Sequence, residues 1–207
     1  MLRIRHLAFG TAPPIFATTM PSPPKPILTV ASARVITWHK DRLCVILRQG
    51  RKRRVGGGVR WVLPGGKIGR RQGCKDVILE EMREELGLEP ASDVHPATVL
   101  HMVNRETWYS VKKWKKLGYV LPGKVSADQR ILLANPVAHI YSARVDVPPP
   151  PKRAGRELRI LDLRDESVLE TVKPSHAIVL FHWRQTVLGG QTMPREVHWE
   201  ESILATT

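Results

Sequence analysis

Glu80, Glu81, Glu84 and Glu85 place four carboxylates within six positions, just after a glycine turn, in a chain whose formal charge is +14. On a helix, Glu81, Glu84 and Glu85 stand at i, i+3 and i+4, so their side chains share one face. Like charges at that spacing cost a helix about 0.2–0.5 kcal/mol per pair, which a solvated helix avoids by interleaving lysine. A solvated acidic face is one account of the string taken alone. A compensating divalent cation is the other, and oxygen-only ligation favours Mg2+ or Mn2+.

The surrounding residues favour the cation. Pro64-Gly65-Gly66 lies between the apolar run Trp61-Val62-Leu63 and a helix pattern with Ile78, Met82 and Leu86 at four-residue spacing, and Gly87 falls where a left-handed helix cap belongs. The segment therefore predicts a strand, a glycine loop and an acid-bearing helix. Gly65 and Gly66 lack a Cβ and can approach a phosphate closely, with Lys67 next to them as a cation.

From Gly66 to Leu88 the chain resembles the Nudix superfamily box, which runs glycine, five residues, glutamate, seven residues, arginine-glutamate, apolar, any, glutamate-glutamate, any, glycine, apolar. Gly66, Glu81, Met82, Glu84, Glu85, Gly87 and Leu88 match it. Gln72 and Glu80 depart from it, standing where the box has the glutamate and arginine of a salt bridge across the loop-helix junction. A glutamine amide can donate to a carboxylate, so Gln72 and Glu80 are expected to keep a hydrogen bond in place of the ion pair. Glu80 also puts negative charge where a guanidinium would have oriented Glu81.

The resemblance implies an α+β fold, an α-β-α sandwich in which a mixed β-sheet is flanked by helices. It implies that Glu81, Glu84 and Glu85 are both the metal ligands and the catalytic set, with Glu81 the base for the attacking water. The implied reaction is metal-dependent hydrolysis of a nucleoside diphosphate linked to another group, with Mg2+ or Mn2+ as cofactor. A further acidic residue from outside the box is expected from among Asp146, Glu157, Asp165 and Glu166.

With 207 residues, 42% of them hydrophobic and 25% charged, the chain suits one globular domain plus extensions. Cys44 and Cys74 are too few for a zinc site or a disulfide framework and are expected as buried or half-buried fillers. Residues 1–26 form a basic, proline-rich extension, with no acidic residue before Asp41. Met1 to Phe9 can form a short basic amphipathic helix of the mitochondrial presequence kind; the alternative is a basic arm with translation starting at Met20, in a cytoplasmic protein. No segment is apolar over a length that would insert in a membrane. Residues 27–207 are expected to hold the Nudix-like domain, with a basic insertion at about 104–136 and a C-terminal tail.

Within that domain the patterns predict strands over Leu28–Trp38, Arg42–Arg48, Trp61–Leu63, Ala97–Val103, Val137–Val147 and His176–Trp183. A fainter helix is expected near Leu158–Thr171, and His198–Glu201 as a last strand or a tail.

Two basic groups point to phosphate. Arg48, Arg51, Lys52, Arg53, Arg54 and Arg60 surround Gly56-Gly57-Gly58, and Arg51, Arg53 and Arg54 are candidate phosphate ligands with Gly65, Gly66 and Lys67. Trp108, Tyr109 and Trp114 interleave with Lys112, Lys113, Lys115 and Lys116, a composition suited to stacking exposed bases along a neutralised backbone, or to a solubilising surface with a tryptophan turned inward. Two functions stand. One is a Nudix-type pyrophosphohydrolase acting on a nucleotide or an RNA 5′ end. The other is a catalytically weak or inactive RNA-binding component of a ribonucleoprotein particle, such as a mitochondrial ribosome.

Overall fold

A computed structural model of the chain describes residues 31–50, 60–69, 71–103, 106–116, 118, 130–134 and 136–200. The extension at residues 1–26 and residues 51–59, with Arg51, Arg53 and Arg54, lie outside the described residues.

The chain builds an eight-stranded mixed sheet from β1 (Ser32–His39), β2 (Cys44–Gln49), β3 (Trp61–Val62), β4 (His95–Val103), β7 (Val137–Val145), β8 (Lys152–Arg153), β9 (Arg156–Asp162) and β10 (Glu196–Glu200). The order is β10-β4-β7-β1-β2-β9-β8, with β3 added to β2. β1 runs parallel to β7 and β10 parallel to β4, and the other pairs are antiparallel. A separate hairpin of β5 (Glu106–Ser110) and β6 (Arg130–Ala134) carries α2 (Val111–Lys116) between its strands.

Alternation along the central strands divides the core between two faces. Val35 and Ile46 go to one face, where α1 (Cys74–Glu81) and its continuation pack through Val77, Ile78, Met82 and Leu86. Ile36, Val45 and Leu47 go to the other, against Val179, Leu180 and Trp183 of α3 (Pro174–Gly189). Helices thus cover both faces of the sheet, the sandwich the sequence predicts. Burying each such side chain fully contributes about 1.5–3 kcal/mol.

Two expected elements are different in the structure. His176–Trp183 lies in helix α3, toward its N-terminal end, and is not a strand. Its buried positions Ser175, His176, Val179, Leu180 and Trp183 follow helical spacing, Pro174 fits a first turn where its missing N–H is not needed, and Gly190 closes the helix with φ 63°. The faint helix near Leu158–Thr171 is β9 followed by a 3-10 helix, Glu166–Thr171, capped by Asp165, whose side chain accepts from the Ser167 N–H. His198 and its neighbours form β10, the edge strand. Trp114 of the basic insertion is fully buried and offers no face to a base. Cys44 and Cys74 are half-buried free thiols.

Helix α3 is tied to the segment before the glycine loop by a buried bond. The Leu63 N–H donates to His176 Nδ1 at 3.0 Å, and Lys173 N–H donates to the Trp61 carbonyl at 2.9 Å. His176→Ala strands the Leu63 N–H in the core, an unmade bond worth about 1–3 kcal/mol. The variant is expected to melt several degrees lower in a thermal scan; an unchanged midpoint would show that this bond does not hold the loop.

Candidate active site

The glycine loop is shaped by what lies against it. The Val35 N–H donates to Pro64 O at 3.1 Å and the Ala33 N–H to Gly66 O at 2.9 Å, so residues 64–66 run along β1. Gly65 has φ 138°, and a Cβ there would sit 2.2 Å from the Ala33 carbonyl oxygen. A Cβ on Gly66 would lie 2.0 Å from Glu81 Oε1. A side chain at 66 would have to displace the Glu81 carboxylate, which fills that space.

The box helix changes pitch as it reaches its acids. α1 ends at Glu81 and is followed by a π-helical turn, Met82–Leu86, a form concentrated at functional sites. Gly87 at φ 68° stops it, with its N–H on Arg83 O and the Leu88 N–H on Met82 O, both at 3.2 Å. Glu81, Glu84 and Glu85 line one cleft of about 160 Å³, as their spacing predicts. Facing them are Arg48 from β2 and Arg153, Ala154 and Arg156 from the β8–β9 hairpin.

Each carboxylate has its own environment. Glu85 Oε2 accepts from Arg48 Nε and, at 3.0 Å, from the Gly65 N–H, while Arg156 Nη1 lies 4.0 Å from its other oxygen. Burial and the Glu85 charge push Glu81 up to about 7, against the opposing pull of Arg34 and Arg48. Glu84 is exposed and has no ion-pair partner among the described residues. Arg34 donates to the Gly65 carbonyl, and burial lowers its pKa to about 10.

These residues suit a hard cation in part. Glu81 and Glu84 offer oxygen donors on one cleft, and the raised pKa of Glu81 reflects first its burial and second the neighbouring Glu85 charge. Mg2+ is commonly held by one or two carboxylates with substrate phosphate completing the shell. Glu85, the third expected ligand, is turned to Arg48 and Gly65. Among the described residues no three carboxylate, imidazole or thiol groups are placed to hold a metal together.

The altered junction behaves as the residue types predict. Gln72 Nε2 donates to Glu80 Oε2 at 3.2 Å, and Gln72 Oε1 accepts from the Gly69 N–H at 3.3 Å. The expected phosphate ligands fare differently. The Gly65 N–H is taken by Glu85, the Cβ space of Gly66 is taken by Glu81, and Lys67 pairs with Ser32 in a bridge instead of lining the cleft. Arg51, Arg53 and Arg54 lie outside the described residues. None of the outside acids lines the cleft: Asp146 pairs with Arg144, Asp165 caps the 3-10 helix, Glu166 pairs with Arg184, and Glu157 lies opposite Lys152. The sequence points to none of Arg34, Arg153 and Arg156 as site residues, and Arg48, expected both at the end of a strand and at the start of the basic group, lies in β2. The one overlooked signal was Ala154-Gly155, a two-residue hairpin turn.

Glu81 allows a check on the site without substrate. Its pKa of about 7 lies above the 4.5 of an unfolded chain, so the folded state keeps a proton that the unfolded state has lost. Its contribution to stability therefore falls as pH rises from 4.5 to about 7. In chelator, the melting temperature of Glu81→Gln is expected to gain on the wild type across that window. Parallel pH profiles would place Glu81 in ordinary solvent.

A family model described as NUDIX domain matches residues 28–177. No curated protein matches the chain. Among solved structures, the MutT protein from Methanosarcina mazei Go1 is similar at 15% identity and a TM-score of 0.49, covering 75% of this chain and 93% of that one. The mutator MutT protein from Bacillus halodurans gives 16% and 0.49, covering 84% and 92%. The NUDIX domain of Shewanella oneidensis NrtR, solved with ADP ribose, gives 13% and 0.49, covering 75% and 86%. With most of its length matched by the family model, on a sandwich that presents the box glutamates to one cleft, the chain belongs to the NUDIX domain family.

Proposed function

We propose that the chain is a metal-dependent pyrophosphohydrolase acting on a nucleoside diphosphate derivative or a 5′-phosphorylated RNA end. The observation that carries this reading is the meeting of Glu81, Glu84 and Glu85 with Arg48, Arg153 and Arg156 around one cleft. Glu81 and Glu84 would hold the Mg2+ or Mn2+. When bound, that ion would neutralise the diphosphate and acidify a coordinated water.

The side chains divide the remaining work. Glu81, half-buried in the cleft beside Glu84 and Glu85, is placed to accept the proton of the attacking water. A water oxygen then bonds to phosphorus, and the bridging P–O bond breaks. Arg48 fixes Glu85, and through it the Gly65 N–H, so the loop and helix keep their spacing during the reaction. Arg34 bonds the other side of the same residue at its carbonyl.

A second reading, a Nudix fold kept for RNA binding in a ribonucleoprotein particle of the mitochondrion, is favoured by the +14 charge and by the engagement of Glu85 with Arg48. Buried Trp114 removes part of its support. One assay separates the two. Nucleotide or phosphate release from nucleoside diphosphate derivatives and 5′-triphosphate RNA, with Mg2+ or Mn2+, is expected for the wild type and lost by at least a hundredfold in Glu84→Gln. Absence of turnover together with salt-sensitive RNA binding would select the second reading.

A further inference from the structure

The β8–β9 hairpin places two arginines where fold stability alone would not. Arg153 and Arg156 are directly opposite across the strands, flanking a turn in which Ala154 has φ 47° and Gly155 φ 74°. Like charges opposite one another destabilise a strand pair, and a left-handed alanine adds strain. Neither cost is offset by a close ion pair. Glu85, 4.0 Å from Arg156, is already held by Arg48 and the Gly65 N–H. Arg153 has no ion-pair partner among the described residues. Its guanidinium lies beside Gly87, where a Cβ would come within 3.2 Å of Nε.

Both side chains nevertheless line the cleft that holds the three glutamates. Arg153 is exposed and Arg156 half-buried, so each has N–H donors free for a ligand entering from solvent. A guanidinium presents five donors in a planar fork that matches phosphate oxygens in pairs. Two such forks at a cross-strand pair have Cβ atoms about 4.5–5.5 Å apart, close enough to act on one anion.

We propose that Arg153 and Arg156 form an anion subsite that grips a phosphoryl group of the substrate beside Glu84 and Glu85, with the hairpin turn holding the two forks in place. The subsite rests on the diphosphate reading above. It differs from that reading in needing no metal and no turnover to be detected.

The test is calorimetric titration of the full chain with inorganic pyrophosphate in chelator at low salt. The Arg153→Gln/Arg156→Gln double variant is expected to bind at least tenfold more weakly than wild type, with an unchanged circular dichroism spectrum. A charge-matched control, Arg144→Gln/Arg164→Gln, removes two arginines engaged with Asp146, Asp41 and Asp162 and is expected to bind like wild type. Equal weakening in both double variants would reduce the effect to net charge and overturn the subsite. So would wild-type affinity in the hairpin variant, or no binding by the wild type. Hydrolysis is judged separately by the turnover lost in Glu84→Gln, so either idea can fail while the other stands.

Discussion

The Glu85 carboxylate joins three segments that are remote in the chain. It takes the Arg48 guanidinium from β2, the Gly65 N–H from the glycine loop, and its own backbone from the π-helical turn of the box helix. The side chains of the pair are only 11% and 18% exposed, so this is a desolvated interaction, and removing either partner alone would leave a buried charge at a cost of about 3–5 kcal/mol. Much of the site follows from it. With Gly65 held at its N–H by Glu85 and at its carbonyl by Arg34, the loop is fixed on both sides, and Gly66 next to it leaves the space that the Glu81 carboxylate occupies. Glu85 is committed to these bonds, whereas Glu81 and Glu84 have no ion-pair partner among the described residues.

What was legible in the sequence follows the range of the forces involved. The box helix, its left-handed stop at Gly87 and the shared face of its glutamates are set within one stretch of chain, and helical geometry predicts them directly. The identity of α3 was not read correctly because a helix apolar on most sides shows no clear period. Val179, Leu180 and Trp183 face the core while Ile178 and Ala177 pack at its margin, so the run His176–Trp183 resembles a buried strand. Length and end signals decide such cases, and Pro174 and Gly190 were both present as punctuation. β9 was obscured in the opposite sense. Its burial does not alternate strictly, because Ile160 is exposed while Leu158 and Leu161 are buried.

The arginines of the cleft show the same limit from the side of function. Arg48 lies 37 residues from Glu85 and faces it because β2 runs in the middle of the sheet with β1 and β9 on either side. Arg153 and Arg156 reach the cleft only because β9 pairs with β2 and carries β8 with it. Neither relation has a local spacing. Charge is densest in the sequence at Arg51–Arg54, whereas the described cleft takes Arg48 from β2 and the pair Arg153 and Arg156 from β8 and β9.

The departures from the box take on a definite physical meaning in this setting. Gln72 donates to Glu80 at 3.2 Å on the exposed side of the junction, a hydrogen bond worth about 0.5–1.5 kcal/mol in place of an ion pair that solvent would have held to about 0–1 kcal/mol. The exchange therefore costs the fold little. The sequence also raised a second concern, that a negative charge at 80 would disturb Glu81. The groups that set the Glu81 pKa are its own burial, Glu85, Arg34, Arg48 and Glu84, and Glu80 is not one of them. Its carboxylate faces Gln72, away from the cleft. The positive charge that acts on Glu81 comes from the sheet, through Arg34 on β1 and Arg48 on β2, so the loss of an arginine at position 80 leaves the electrostatics of the cleft in the hands of residues the box does not contain.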